Sequence, residues 1–177
     1  ADEGVELRKA GIQTPVIIMN PELNTFDLLI KYRLEPEIYN FKILKSFAEY
    51  TEREGIRNFP IHLKIDTGMH RLGFEPKEVD ALIEFLKNNK SLKVESAFSH
   101  LVASEDPAED EFTLKQIKTF QDVTDKLQSS LNIKFLRHIL NTSGVQRFPE
   151  YQMDMVRMGI GLYGIGIDKN SPIRPVA

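Results

Sequence analysis

Helix-like and strand-like spacings of apolar residues alternate along this chain, and the alternation predicts α and β elements in turn. Residues Asp2 to Ala10 carry a helical pattern that Gly11 stops, ahead of the β-rich run Pro15-Val-Ile-Ile-Met19. Pro21 takes a first helical position, and Phe26, Leu29, Ile30 and Leu34 supply a spaced apolar face before the strand Glu37-Ile-Tyr39. Asn40 reads as the N-cap of a helix from Phe41 to Glu54, with Ile43, Leu44, Phe47 and Tyr50 on one side and Gly55 at its end. The strand Phe59 to Asp66 follows. Pro76 opens a helix with Val79, Leu82, Ile83 and Leu86 turned inward, and Leu92 to Ser99 reads as the next strand. A polar loop, Val102 to Asp110, leads to a helix whose Phe112, Ile117, Phe120, Val123 and Leu127 are spaced for burial. Phe135 to Leu140 and Met153 to Met158 are the last two strand candidates.

Six strands with helices between most neighbours, and no hairpin signal, are the mark of parallel β/α units in one domain spanning residues 1–177. Such units fit an open doubly wound sheet or an incomplete (β/α)8 barrel lacking two units, and periodicity alone does not choose between them. Polar residues gather where each strand ends: Asn20, Asn40, Asp66 with Thr67, Ser99 with His100, Asn141 with Thr142 and Ser143, and Arg157 with Gly159. A set at every unit end fits the ring of a barrel mouth better than a crevice at one switch point.

Composition narrows the function classes. The chain has 177 residues, 41% hydrophobic and 28% charged, with a formal net charge of −3 and its Lys and Arg scattered, so it offers no basic field to a nucleic acid. Cysteine is absent, which excludes disulfides, thiolate nucleophiles and cysteine-ligated metals and is compatible with a reducing cytoplasm. No apolar run approaches the roughly 20 residues of a membrane helix, and Ala-Asp-Glu-Gly at the start is no signal peptide. The missing initiator methionine suggests a processed product or an excised piece.

The chemistry concentrates in a few stretches. From His62 to Phe74, Ile61, Leu63 and Ile65 alternate with His62, Lys64 and Asp66, and the strand runs into a turn at Gly68 carrying Arg71, which reads as an active-site strand end. Gly159, Gly161 and Gly164 have G-x-G-x-x-G spacing, but Asp168 to Pro175 is turn-like rather than helical, so a phosphate cradle or tight packing suits them better than a dinucleotide site. Asn141-Thr-Ser-Gly144 offers an amide and two hydroxyls, fit for phosphate or for an ordinary N-cap. Arg157 and Lys64 sit on buried strands and need partners: a cofactor, or a salt bridge to Asp66 or Asp154. His100 can stack on a planar ring or be a satisfied core histidine. The histidines lack zinc-ligand spacing and Ser143 lies outside any G-x-S-x-G elbow.

Taken together, Leu7-Arg-Lys-Ala-Gly-Ile12, His62 to Phe74, Ser99-His-Leu101, Arg147-Phe-Pro149 and Arg157 to Gly164 give a chain that resembles the barrel domain of the alanine racemases. These are pyridoxal 5'-phosphate enzymes that interconvert L- and D-alanine for the bacterial cell wall, cytoplasmic and dimeric when complete. The resemblance implies that Arg157 faces the pyridine nitrogen, that His100 flanks the ring and supports Arg157, and that Asn141, Thr142 and Ser143 with the backbone of Gly159 and Ile160 hold the phosphate. It implies too that Arg71 contacts cofactor oxygen and substrate carboxylate, and that Lys64 aligns with a lysine carbamylated in many members. The family's Schiff-base lysine lies in an A-N-A-Y-G-like segment that does not occur here, and its opposing tyrosine base belongs to a C-terminal domain of the partner subunit. A fragment inactive by itself is therefore expected. A related amino-acid racemase such as serine racemase, a noncatalytic pyridoxal-binding barrel and a stand-alone doubly wound binding domain are the alternatives.

Overall fold

The computed structural model describes residues 1–166 and Arg174. Most of the turn-like stretch read from Asp168 to Pro175 lies outside them. Among the described residues five parallel strands form one sheet: β1 (Ile17–Ile18), β2 (Glu35–Ile38), β3 (Phe59–Lys64), β4 (Leu92–Phe98) and β5 (Leu136–His138). The helices are α1 (Asp2–Lys9), α2 (Phe26–Tyr32), α3 (Phe41–Arg53), α4 (Val79–Asn88), α5 (Asp110–Leu131) and the short α6 (Thr142–Arg147). Asn40 caps α3, its side-chain oxygen accepting the Ile43 amide at 2.9 Å, as the sequence predicts.

Strand order decides between the two architectures left open above. Each strand pairs with the next in sequence, β1 to β5, with no reversal. Because parallel crossovers share one hand, unbroken sequential order puts every connecting helix on the same face, and the sheet curves as an arc of a barrel instead of an open doubly wound sheet. The outer face is apolar: Ile61, Leu63 and Ile65 are fully buried beneath helices carrying Leu44, Phe47, Leu82, Ile117 and Phe120. Edge-to-face contacts of Phe47 with Phe26 (4.9 Å) and Phe59 (5.5 Å) tie α2 and α3 to the sheet.

The inner face is different. Register pairs Glu37 with His62, His62 with Ser96, and Lys64 with Phe98, which in turn pairs with His138. A shift between Ile61 and His62 sets that alignment. Polar and charged groups therefore line one surface across four strands.

The sixth strand expected at Met153 to Met158 does not form. That segment lies beside β5 through two amides, Asp154 N to Arg137 O (3.2 Å) and Arg157 N to Leu140 O (3.0 Å). Between them the Asp154 carboxylate, not a backbone carbonyl, accepts the Arg137 amide at 2.8 Å, and Met153 is left-handed with φ 55°. A side chain standing in for a carbonyl breaks the ladder before it propagates.

Candidate functional site

The loop leaving β3 is shaped by one carboxylate and two glycines. Asp66 Oδ1 accepts the amides of Gly68 (2.9 Å) and His70 (3.1 Å), curling the chain. Phe74 then returns to pair with the end of β3, its amide donating to Lys64 O and its carbonyl accepting from Asp66 N, both at 2.9 Å. Gly73 has φ 126°, and a β-carbon there would stand 2.6 Å from the Asp66 nitrogen, so only glycine permits the return. Arg71 rides this loop, exposed, yet close enough to Lys64 and His100 to depress the basicity of both.

Arg157 is held from several sides. Its Nη1 donates to His138 Nδ1 (2.8 Å) and His138 O (3.1 Å), and its Nη2 to the carbonyls of Ser99 and Ile139, with His100 Nδ1 at 3.5 Å. The guanidinium lies 5.2 Å from the centroid of Phe98, and the Lys64 ammonium 4.5 Å from the same ring. Neither cation makes an ion pair with a carboxylate among the described residues. Asp154 pairs with Arg137 and Asp66 with its own loop and His70, so the salt bridges considered from sequence are not made.

Burial and mutual repulsion shift the titratable groups. Lys64 falls to about 8, first through burial and then through the charge of Arg157. His100 falls to about 4 for the same two reasons in the same order. Burial lowers Arg157 to about 10. Glu37, fully buried on β2, opposes these shifts at both Lys64 and Arg157; its Oε2 accepts the Asn20 amide at 2.9 Å, while Oε1 has no hydrogen-bond partner among the described residues. The buried cations Lys64 and Arg157, with exposed Arg71 close by, thus face two nearby carboxylates, Glu37 and Asp66, which leaves a positive excess.

Beside this cluster is a nest of backbone donors. The amides of Gly159 and Gly161 both point at Thr142 Oγ1, each at 3.2 Å. A β-carbon at Gly161 would lie 2.8 Å from Thr142 Cγ2, whereas Gly159 borders open space. The glycine spacing does not open a helix of the dinucleotide kind: Ile160–Tyr163 is a single 3-10 turn with Ile160 exposed. Asn141 has the capping role, its Oδ1 accepting the Gly144 amide (2.9 Å) and the Ser104 hydroxyl (2.8 Å), so its side chain orients the loop from behind. Ser143 occupies the first turn of α6 and is half-buried.

Several contributors escaped the sequence reading. Buried Gln116 on α5 donates to Thr67 Oγ1 (3.2 Å) and His100 O (3.1 Å) and accepts the Val102 amide (3.1 Å), joining the loops after β3 and β4. A glutamine at an inward helical position was the available signal. Glu35 and His138 line the inner face from strands of four and three residues, where alternation is too brief to read, and Ser96 does so from the seven-residue β4, where the register shift past Glu95 breaks the alternation. Among the described residues no group of three or more His, Asp or Glu is arranged to hold a metal ion, and no helix is long and apolar enough to cross a membrane.

Comparison with known proteins places this geometry in context. The family model described as alanine racemase, N-terminal domain, matches residues 1–166. The chain is 36% identical over 176 residues to alanine racemase 1 of Clostridium acetobutylicum, covering 95% of this chain and 45% of that protein. It is 38% identical over 167 residues to the alanine racemase of Carboxydothermus hydrogenoformans, covering 92% and 44%. Among solved structures, alanine racemase from E. faecalis superposes with a TM-score of 0.85 at 28% identity, covering 98% of this chain and 48% of that one. The Clostridium difficile enzyme in complex with cycloserine gives 0.84 at 29%, covering 98% and 47%. The chain spans a little under half the length of the curated relatives it matches.

Proposed function

The chain belongs to the alanine racemase N-terminal domain family, and from that premise we propose that the whole protein interconverts L- and D-alanine with pyridoxal 5'-phosphate, supplying D-alanine for peptidoglycan. The observation that carries the reading is a cationic cluster, Lys64, Arg71 and Arg157, in which Lys64 and Arg157 make no ion pair among the described residues, together with the glycine-amide nest at Thr142. The donor set fits the cofactor: a phosphate satisfies convergent backbone amides and a hydroxyl, and a planar heterocycle gives the Arg157 guanidinium an acceptor. A structure of the Bartonella henselae alanine racemase with covalently bound pyridoxal phosphate shares the fold, with a TM-score of 0.84.

When bound, the cofactor supplies an electron sink for the pair left as a proton departs from the α-carbon. In this reading Thr142, Ser143 and the amides of Gly159 and Ile160 hold the phosphate, with Asn141 fixing their loop. Arg157, which has no lone pair to offer and no tendency to release a proton at neutral pH, disfavours protonation of the pyridine nitrogen opposite it. By holding that charge there, Arg157 would favour return of the proton to the α-carbon over loss of the amino group. His100, kept neutral by burial and by Arg157, borders the ring without adding charge. Arg71 meets the substrate carboxylate. Lys64, at about 8, holds roughly a tenth of its amine neutral at pH 7, the form that reacts with carbon dioxide. The resulting carbamate would replace a repulsive charge beside Arg71 with an attractive one.

No A-N-A-Y-G-like segment occurs in these 177 residues, so turnover is assigned to the whole protein, read as a cytoplasmic homodimer. The test is an absorbance titration of pyridoxal phosphate paired with an alanine racemisation assay on the full-length protein. Saturable binding, with Arg157→Glu retaining the cofactor but losing racemisation and gaining transamination, supports the reading. Binding and turnover indifferent to Arg157 overturn it.

A further inference from the structure

Arg157 does not end its network at His138. His138 Nε2 lies 3.1 Å from Ser96 Oγ, Ser96 Oγ lies 2.7 Å from His62 Nδ1, and His62 Nε2 lies 2.7 Å from Glu35 Oε2. The series crosses β5, β4, β3 and β2: His62 and Ser96 are register partners, whereas His138 and Glu35 each stand two residues along their strands from the residue paired with Ser96 (Leu136) and with His62 (Glu37). His138, Ser96 and His62 are all buried. We propose that Glu35, His62, Ser96 and His138 form a one-directional hydrogen-bond relay that positions the Arg157 guanidinium.

Direction follows from the chemistry at the two ends. A guanidinium only donates, so the His138 nitrogen facing Arg157, Nδ1, is an acceptor and the ring proton sits on Nε2. His138 Nε2–H therefore donates to Ser96 Oγ. At the far end a carboxylate only accepts, so His62 carries a proton on Nε2 for Glu35. The Ser96 hydroxyl, already accepting from His138, places its own proton on His62 Nδ1. Every member donates once toward Glu35, and both imidazoles are neutral with the proton on Nε2. Burial and the charge of Arg157, which together hold His138 at about 3, agree with a neutral ring there.

Glu35 thus fixes, from three strands away, which nitrogen of His138 meets the guanidinium. An amide in its place can either accept or donate. In the second case the whole series reverses, and a His138 Nδ1–H is set against the N–H of Arg157, donor facing donor. For its consequence the relay rests on the cofactor reading above, since it is the pyridine-facing guanidinium that is being held.

The test is nitrogen-15 NMR of the histidine rings in the full chain, with the four histidines assigned by single substitution and pyridoxal phosphate absorbance recorded on the same samples. The relay predicts, for both His62 and His138 at neutral pH, a protonated Nε2 and an unprotonated Nδ1. Glu35→Gln is expected to abolish the single tautomer at His138, a residue Glu35 does not touch, and Ser96→Thr to preserve it. An unchanged His138 in Glu35→Gln overturns the relay. A proton on Nδ1 of either ring in the unsubstituted protein overturns it as well, and decides the matter should Glu35→Gln fail to fold. Expected tautomers without cofactor binding would sink the pyridoxal reading alone, and reversed tautomers with binding intact would sink the relay alone.

Discussion

Lys64 shows how a single buried cation can weigh against the fold. Its folded value of about 8 lies below its ordinary 10.5, so between those limits the native state holds fewer protons than the unfolded chain. Stability therefore rises with pH across that window, and below about pH 8 the charged ammonium penalises the fold. Lys64→Met is expected to be more stable than the unsubstituted chain at pH 7, by about 1–2 kcal/mol once solvent screening is allowed for. The gain should shrink toward pH 10.5, and paired urea titrations at the two pH values check it. That Lys64 and Arg157 pose a burial problem is legible in sequence, because each is a cation in an apolar strand pattern. Their solution is not: Ser99 and His138 reach Arg157 from positions 58 and 19 residues away, brought there by the pairing of β4 with β5 and by the packing of the Arg157 segment beside β5.

At the level of elements, most helices and strands follow from spacing and caps, which are local. Asn40→Ala removes the acceptor for the Ile43 amide and is expected to cost about 1 kcal/mol, read as a shift in denaturation midpoint at unchanged slope. Gly73→Ala should cost about 3 kcal/mol, since φ 126° and a 2.6 Å approach to backbone leave the new methyl group nowhere to go. The same substitution at Gly55, φ 68° with open space around it, should cost about 1 kcal/mol. Met153 to Met158 escaped correct reading because its apolar content matches a strand, while the carboxylate of Asp154 occupies the amide a neighbouring carbonyl would need. Side-chain competition for a backbone donor leaves no trace in hydrophobic spacing.

Across the whole molecule, sequential strand order marks an arc with edges at β1 and β5. Edge strands with free backbone groups seek partners. The 177-residue chain by itself is expected to self-associate, with a sedimentation coefficient that rises with concentration; a concentration-independent monomer would contradict this. The barrel class was legible in the polar residues at successive strand ends, since chemistry collects at the carboxyl face. The inner-face network was not, because it depends on how four strands are set side by side, with His62 opposite Ser96 and with Glu35 and His138 diagonal to them.

Thr142 already gives the amides of Gly159 and Gly161 an acceptor, and in the reading proposed above the hydroxyl would be a place-holder for an anion. Donors occupied in this way stay aligned at little cost, so an incoming phosphate has only a neutral oxygen to displace and no loop to order. Thr142→Val should leave the buried Gly161 amide unsatisfied, lowering stability by about 1–3 kcal/mol. Millimolar inorganic phosphate should then raise the melting temperature more in that variant than in the parent, the mark of a vacancy that an ion fills in place of a lost hydroxyl.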